Sequence, residues 1–317
     1  MTTPSFLHPF VTRSHRGIYG IIRRDNQILV IRKARGPYTG LYDLPGGSPE
    51  AGETPEQTLV REIKEETDCD VITATNHREK TIFFSQFTKA SGETGCMQHT
   101  GILFDVTVDG TPTEQGDGLD ANGAVWVDID TLSSQNATPF VLIGCGKEVI
   151  NLANEAGYPM DVALRREERP PERYPMIAAV ILSDSRRNII LQRVALSKAT
   201  DPGKWSYSAA GHVDAGEDYQ HAAARELAEE MGITATTFTF VGAEKTFTNG
   251  KLRAFHHVFR TTSDEPITFD PSEVAEVRSF SPQELATTIQ THPEQFKDVF
   301  AKIYLNTYFP RLTKEEP

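Results

Sequence analysis

Three glutamates recur at the same spacing in two places along the chain: Glu62, Glu65 and Glu66, and again Glu226, Glu229 and Glu230. At about 100° per residue, an α-helix would gather each triplet within an arc of roughly 100°. Leu59, Val60 and Ile63 fill the neighbouring arc of the first helix, and Ala223, Ala224 and Leu227 that of the second. Carboxylates crowded on one face repel, and a solvated helix ordinarily relieves this with lysines one turn away. Neither acidic face carries a lysine. A merely solvated face is the bland reading, and its exact repetition counts against it. A hard divalent cation, Mg²⁺ or Mn²⁺, takes oxygen ligands and would make such a cluster tolerable. Held with open water positions, such an ion suits attack of water on a phosphoryl group.

The flanking residues supply what would position these acids. Thr54-Pro55-Glu56-Gln57 reads as a capping box with proline at the first helical position, and Asp218 stands in the N-cap place of the second copy. Gly232 offers a left-handed stop, where the first copy has Asp68. Gly46-Gly47 and Ala210-Gly211 precede the helices and allow close backbone approach, so the carbonyl of Gly46 or Ala210 could join a metal shell. Arg61 and Arg225 follow Glu53 and Glu217 at equal spacing, which predicts an ion pair tying loop to helix in each copy.

The matched segments, residues 46–69 and 210–233, belong to a longer repeat. The apolar runs NQILVIRKAR (26–35) and RNIILQRVAL (187–196) align upstream of them, and AVWVDIDTL (124–132) and VRSFSPQEL (277–285) downstream. The chain of 317 residues is therefore read as one duplicated domain: residues 1–157, a linker at 158–175, and residues 176–317. GKEVINLANEAG (146–157) is expected as the closing helix of the first copy, and the proline-rich, charged stretch 158–175 as an irregular connection.

Composition narrows the classes. Hydrophobic residues make up 38% and charged residues 24%, which suits a soluble globular chain. The net charge of −12 argues against wrapping a nucleic-acid duplex, and it requires a local cation wherever a phosphorylated small molecule binds. Cys69, Cys96 and Cys145 show no metal-binding or disulfide spacing, which fits a reducing, cytoplasmic setting. No run is long and apolar enough to span a membrane, and no signal peptide is evident. Pairing with a second copy of the chain is left open.

At the boxes the sequence resembles the Nudix hydrolase family, whose signature is G-x5-E-x7-R-E-U-x-E-E-x-G-U, with U apolar. The second copy fits from Gly211 through Ile233; the first fits from Gly47 through Glu66 and departs at Asp68 and Cys69. The resemblance implies an α/β fold of two tandem α/β/α sandwiches, each with a mixed sheet between helices. It also implies a pyrophosphohydrolase acting, with Mg²⁺ or Mn²⁺, on a nucleoside diphosphate linked to another moiety. Carried over residue by residue, the metal shell would be Glu62, Glu65, Glu66 and the Gly46 carbonyl, and Glu226, Glu229, Glu230 and the Ala210 carbonyl. Arg61 and Arg225 would serve catalysis, and Glu53, Glu217, Gly47 and Gly211 would support the box. Glu62 and Glu226 are favoured as general bases, with the acids of 116–123 and 270–277 as alternatives outside the box.

The first copy looks like the MutT-like or ADP-ribose-hydrolysing branch. The second, VALSKATDPGKWSYSAAGHVDAGE, looks like the branch related to isopentenyl diphosphate isomerase. It has no cysteine at residues 206–210, where the isomerase carries one, so isomerisation is disfavoured. The rival class is a nucleotide sensor without turnover, or one active domain beside a scaffold. His212 reads as a loop hydrogen-bonding residue, and Tyr38, Tyr42, Trp205 and Tyr207 as packing residues in preference to base-stacking ones.

Overall fold

A computed structural model describes residues 9–88, 94–113 and 121–312. The chain divides into two compact units, one comprising Met1–Arg173 with Asp214–Gly216 and the other Tyr174–Val213 with Glu217–Pro317.

In the first unit the elements run β1 (Val11–Arg24), β2 (Gln27–Lys33), β3 (Tyr42–Asp43), β4 (Gly46–Gly47), α1 (Pro55–Thr67), β5 (Asp70–Thr88), β6 (Thr94–Asp109), β7 (Ala121–Asp128), α2 (Pro139–Gly144), β8 (Val149–Ala153) and β9 (Pro159–Leu164). The sheet order is β3-β2-β1-β6-β5, with β4 on β1 and β7 on β2. Strands β1 and β6 run parallel and the other pairs antiparallel, so the sheet is mixed. Successive side chains of a strand face opposite ways. Ile18, Ile22, Leu29 and Ile31 thus pack with Leu59 and Ile63 of α1 on one face. Tyr19, Ile21, Ile28 and Val30 pack with Phe140, Val141 and Leu142 of α2 on the other.

The second unit repeats this plan with β10 (Tyr174–Ser183), β11 (Ile189–Val194), β12 (Trp205–Ser206), β13 (Ala209–His212), α3 (Tyr219–Met231), β14 (Thr239–Thr248), β15 (Lys251–Thr262), β16 (Val274–Phe280), α4 (Pro282–Thr291) and α5 (Asp298–Ile303). The order β12-β11-β10-β15-β14, with β13 on β10 and β16 on β11, matches the first unit strand for strand. Helix α3 buries Ala222, Ala223, Leu227 and Met231. Leu285 and Ile289 of α4 and Phe300 and Ile303 of α5 join Ala179, Ile181 and Leu191 in the core of the opposite face. Each unit is therefore an α/β/α sandwich. Among the described residues no helix is long and apolar enough to cross a membrane.

Two expectations are corrected. Residues 146–157 hold the strand β8, not a closing helix. Val149 and Ile150 are β-branched, all five strand residues are buried, and Gly146 and Gly157 at positive φ bound the run. A short apolar run between glycines suits a strand more than a helix. The expected linker, 158–175, holds β9, which pairs antiparallel with β8, and begins β10 at Tyr174. Residues through Arg173 stay with the first unit because Arg173 donates to the buried Asp161 carboxylate and, at 2.9 Å, to Ser85 Oγ.

Candidate active site

Local sequence sets both box helices. Thr54 Oγ1 accepts from Gln57 N at 3.3 Å and Gln57 Oε1 accepts from Thr54 N at 2.9 Å, closing the capping box with Pro55 inside it. Asp218 Oδ1 accepts from Gln220 N and His221 N at 2.9 and 2.8 Å. Both helices end in a left-handed residue, Asp68 at φ 60 and Gly232 at φ 68. Asp68 adopts the conformation without a glycine's freedom, and Lys64 Nζ donates to its carbonyl at 3.0 Å.

The two arginines make the same set of contacts. Arg61 donates from Nε and Nη2 to the two Glu53 oxygens at 2.7 and 2.9 Å, and from Nη2 to the Ser48 carbonyl at 3.2 Å. Its Nη1 reaches Glu62 Oε1 at 2.9 Å and Glu65 Oε2 at 3.2 Å. Arg225 binds Glu217 at 3.2 and 3.0 Å and the His212 carbonyl at 2.9 Å. Its Nη1 reaches Glu226 at 2.8 Å and Glu229 at 3.1 Å. Each arginine therefore pins loop to helix and also offsets charge on the acidic face, so the absence of lysine there does not leave the face bare. Hydrogen bonds from Arg61 hold the Glu53 carboxyl down to about 2.

The three glutamates of a box differ in environment, which spacing alone did not reveal. Glu65 and Glu229 are more than half exposed, at 56% and 59%. Glu62 and Glu226 lean over the box glycines, so closely that a Cβ on Gly47 would lie 2.5 Å from Glu62 Oε1 and one on Gly211 1.9 Å from Glu226 Oε1. Glu66 is buried and accepts from Gly46 N at 2.8 Å; burial pushes its carboxyl up to about 8. Glu230 accepts from Ala210 N at 3.0 Å and Gln192 Nε2 at 2.7 Å, and burial pushes it up to about 7.

The glycines supply a paired prediction. Gly211→Ala drives its methyl into a flexible carboxylate, so Glu226 swings away while the fold holds; the second domain's activity should fall about 10²-fold with little change in Tm. Gly46 sits at φ 144 with backbone atoms against it, its Cβ position only 2.1 Å from the Ile18 carbonyl. Gly46→Ala should therefore destabilise the chain by about 2–4 kcal/mol in urea melts. The second copy carries Ala210 at that place without positive φ.

A pocket of about 510 Å³ opens on the first box, with Gly47, Arg61 and Glu62 in its lining. Arg13, Lys33 and Arg35 supply the local cations that a phosphorylated ligand needs on a chain of net charge −12. One wall is Tyr19, Tyr38 and His99: the Tyr19 hydroxyl lies 2.8 Å from His99 Nε2 and the Tyr38 hydroxyl 3.3 Å from Nδ1. Asp43, also buried, accepts from Thr138 Oγ1 at 2.7 Å, and burial raises its carboxyl. Of these wall residues only Tyr38 stands out in the sequence; Tyr19, Asp43 and His99 come from strands far apart in the chain.

Burial holds His99 neutral and pushes it down to about 3. A histidine lowered from 6.5 stabilises the folded state above that value and loses this contribution as pH falls toward 3. His99→Phe should thus remove a loss of about 1.4 kcal/mol per pH unit, read in urea melts as pH drops below 6. An unchanged slope would exclude His99 as its source.

The remaining sequence candidates sit elsewhere. Asp117 and Asp120, in 116–123, lie outside the described residues. Asp270 accepts from Ser272 N, Glu273 pairs with Lys198 and Glu276 with Arg193, so the 270–277 acids are engaged away from the box. Trp205 and Tyr207 are buried packing residues, and Tyr42 lies half-buried under Arg32. Tyr38 is buried too, although it also walls the pocket.

The NUDIX domain model matches residues 12–141 and again residues 173–302. The chain belongs to the Nudix family. Relatives of this Nudix chain include an ADP-ribose pyrophosphatase of Methanocaldococcus jannaschii, 50% identical over 62 residues; that match spans 20% of this chain and only 34% of the archaeal protein. An uncharacterized Nudix hydrolase of Pseudomonas aeruginosa is 34% identical over 43% of this chain and 80% of its own length. An isopentenyl-diphosphate Delta-isomerase of Nocardia farcinica is 30% identical over 49% of this chain and 91% of its own length. In the second Nudix domain the segment before Gly211 has Ser208 Oγ donating to the Ile190 carbonyl and accepting from Leu182 N, so this hydroxyl is committed to the backbone.

Proposed function

We propose that each Nudix domain is a metal-dependent pyrophosphohydrolase that cleaves a nucleoside diphosphate linked to another moiety, such as a nucleoside triphosphate or ADP-ribose. The observation that carries this reading is the buried Glu66 and Glu230, each a carboxyl raised by burial with amide donors beside it. Such a carboxylate ionises readily only with a cation near it. The donor sets are all oxygen, which suits Mg²⁺ or Mn²⁺. Glu62, Glu65 and Glu66 with the Gly46 carbonyl, and Glu226, Glu229 and Glu230 with the Ala210 carbonyl, are the residues that would hold it. As the side chains stand, no three acidic or histidine groups among the described residues converge closely enough to ligate an ion. Loading therefore requires Glu62 and Glu65, or Glu226 and Glu229, to turn from the arginine Nη1.

When bound, the ion supplies an acidified water and charge neutralisation on the diphosphate. Glu62 is raised by burial, so its carboxylate, once turned from Arg61, is suited to accept the water's proton; Glu226 holds the same place in the second domain. The water oxygen bonds to phosphorus, the P–O–P bridge breaks, and the departing phosphate carries the electron pair. Arg13, Lys33 and Arg35 hold the anionic substrate in the first pocket. The ADP-ribose pyrophosphatase relative supports the substrate class. The test is release of phosphate or AMP from a panel of nucleoside triphosphates and ADP-ribose with Mg²⁺ or Mn²⁺. Product formation is expected, and absence of product from every compound rejects the reading.

A further inference from the structure

In the second domain two buried polar atoms, His256 Nδ1 and Thr246 Oγ1, have no hydrogen-bond partner among the described residues. Strand register puts them on one patch. Thr246 of β14 pairs with Ala254 of β15, and Glu244 with His256. Paired residues point to one face of a sheet, and so do residues two apart along a strand. Thr246, Ala254 and His256 therefore share a face, and the two polar side chains are diagonal neighbours beside a side chain of one carbon. Glu244, opposite His256, does not serve the ring: its Oε1 accepts from Lys245 N at 3.3 Å. Gly242, opposite Val258, lies on the same face, and a Cβ there would stand 3.2 Å from Thr307 and 3.9 Å from Ile303, so α5 packs on this side. The patch adjoins the box. His256 and His212 both pair with Ile177 of β10, one on each side, and His212 directly follows Gly211. Lys297, the residue before α5, acts with its charge on both His256 and Glu230.

The first domain fills the same place differently. By the matching strand pairs, Ile82, His99 and Gly101 stand where the second domain has Thr246, Ala254 and His256. Ile82 is apolar, and both ring nitrogens of His99 have a tyrosine hydroxyl. Among the described residues, those three side chains leave no buried polar atom unpaired. A buried donor or acceptor without a partner forfeits the hydrogen bond that it makes to water in the unfolded chain. A sheet patch that does so twice beside its box is organised for a group that arrives with the ligand. Burial holds the His256 ring neutral, pushed down to about 4, so its two nitrogens are one donor and one acceptor. The threonine hydroxyl also donates and accepts. A hydroxyl, itself donor and acceptor, suits both; a phosphate oxygen only accepts, and the Lys297 ammonium serves it.

We propose that His256 Nδ1 and Thr246 Oγ1 bind hydroxyls of the moiety joined to the diphosphate, so that the second domain takes a nucleoside diphosphate esterified to a sugar or another polyol. This inference rests on the reading of the second box as a diphosphate site. Neither residue takes part in the chemical step; both determine specificity. A site built to hydrogen-bond a substrate hydroxyl rejects the analogue that lacks it, because its own polar groups then stay unpaired.

The test compares two ligands of equal charge on the full chain. ADP-ribose and the ethyl ester of ADP carry the same diphosphate, and only the first brings hydroxyls on its far side. With the first domain silenced by Glu65→Gln, the ratio of kcat/KM for ADP-ribose to that for the ester should fall about tenfold on adding either His256→Phe or Thr246→Val. A ratio unchanged in both variants overturns the proposal while leaving hydrolysis intact. Thr246→Val should also leave Tm level or raised, because it removes an unpaired buried hydroxyl. A lowered Tm shows that the hydroxyl has a structural partner, a bound water included, and overturns the proposal. Where no turnover occurs, imidazole ¹⁵N spectra of the Glu65→Gln chain decide. The Nδ1 resonance that disappears in His256→Phe should shift with ADP-ribose and hold still with the ester. Equal shifts with both ligands, or none with ADP-ribose, overturn the hydroxyl subsite whether or not the box hydrolyses anything.

Discussion

Glu65→Gln and Glu229→Gln, combined in one chain, should reduce nucleotide hydrolysis by about 10³-fold or more, while each alone removes only the share of its own domain. The amide keeps shape and polarity but removes the negative charge that a divalent ion would meet. Loss of such a contact weakens both ion loading and charge neutralisation in the transition state, an effect worth several kcal/mol. The substitutions should leave folding nearly intact, because both glutamates are more than half exposed and their contacts to Arg61 and Arg225 are surface contacts. The check is initial rates for a nucleoside triphosphate and for ADP-ribose across the two single variants and the double variant, with Tm measured alongside. Full activity in the double variant would remove the acidic faces from the chemistry.

The second large effect concerns pH and metal together. Glu66 and Glu230 are carboxyls raised by burial, to about 8 and about 7. An acid whose folded pKa lies above its unfolded value stabilises the fold fully below the unfolded value, near 4.3, and that contribution is lost as pH rises through the folded value. In a chelator, stability should therefore decline between about pH 5 and 8, by several kcal/mol over the two groups. Mn²⁺ competes with the protons for the same oxygens, so it should raise Tm more at pH 8 than at pH 5.5 and release protons on binding near pH 7. Scanning calorimetry at the two pH values, with EDTA or Mn²⁺, decides the matter. A Tm gain from Mn²⁺ that is equal at both values would place the ion away from these carboxyls.

Local signals were legible in the sequence wherever a few neighbouring residues decide the outcome. Thr54, Pro55 and Gln57 start α1, Gly232 stops α3, and the spacing of Arg61 and Arg225 from Glu53 and Glu217 yields the ion pairs. The layered α/β/α plan was legible through the family resemblance of the two boxes. Residues 146–157 do not read as a strand because Val149, Ile150, Leu152 and Ala153 fit a helix face and a buried strand equally, and the pairing with β9 tips the balance. The differing burial of Glu62, Glu65 and Glu66 was invisible because helical spacing fixes direction and not depth. The rest of the pocket wall was invisible for another reason: Tyr19 and His99 meet through the parallel pairing of β1 with β6, far apart in the chain. Gln192, a lone amide after the apolar residues Ile189, Ile190 and Leu191, is a readable hint: its side chain donates to Glu230.

The doubly anchored arginines have a consequence for the box helices. Arg61 grips Glu53 and the Ser48 carbonyl with Nε and Nη2, leaving Nη1 as the one hand on Glu62 and Glu65. If that hand lets go on loading, the guanidinium stays where it is, and an internal counterion hands the carboxylates to an external one. On the proposed reading, the box helices would then stay closed with or without an ion, because Arg61 Nε and Nη2 hold the loop in either case.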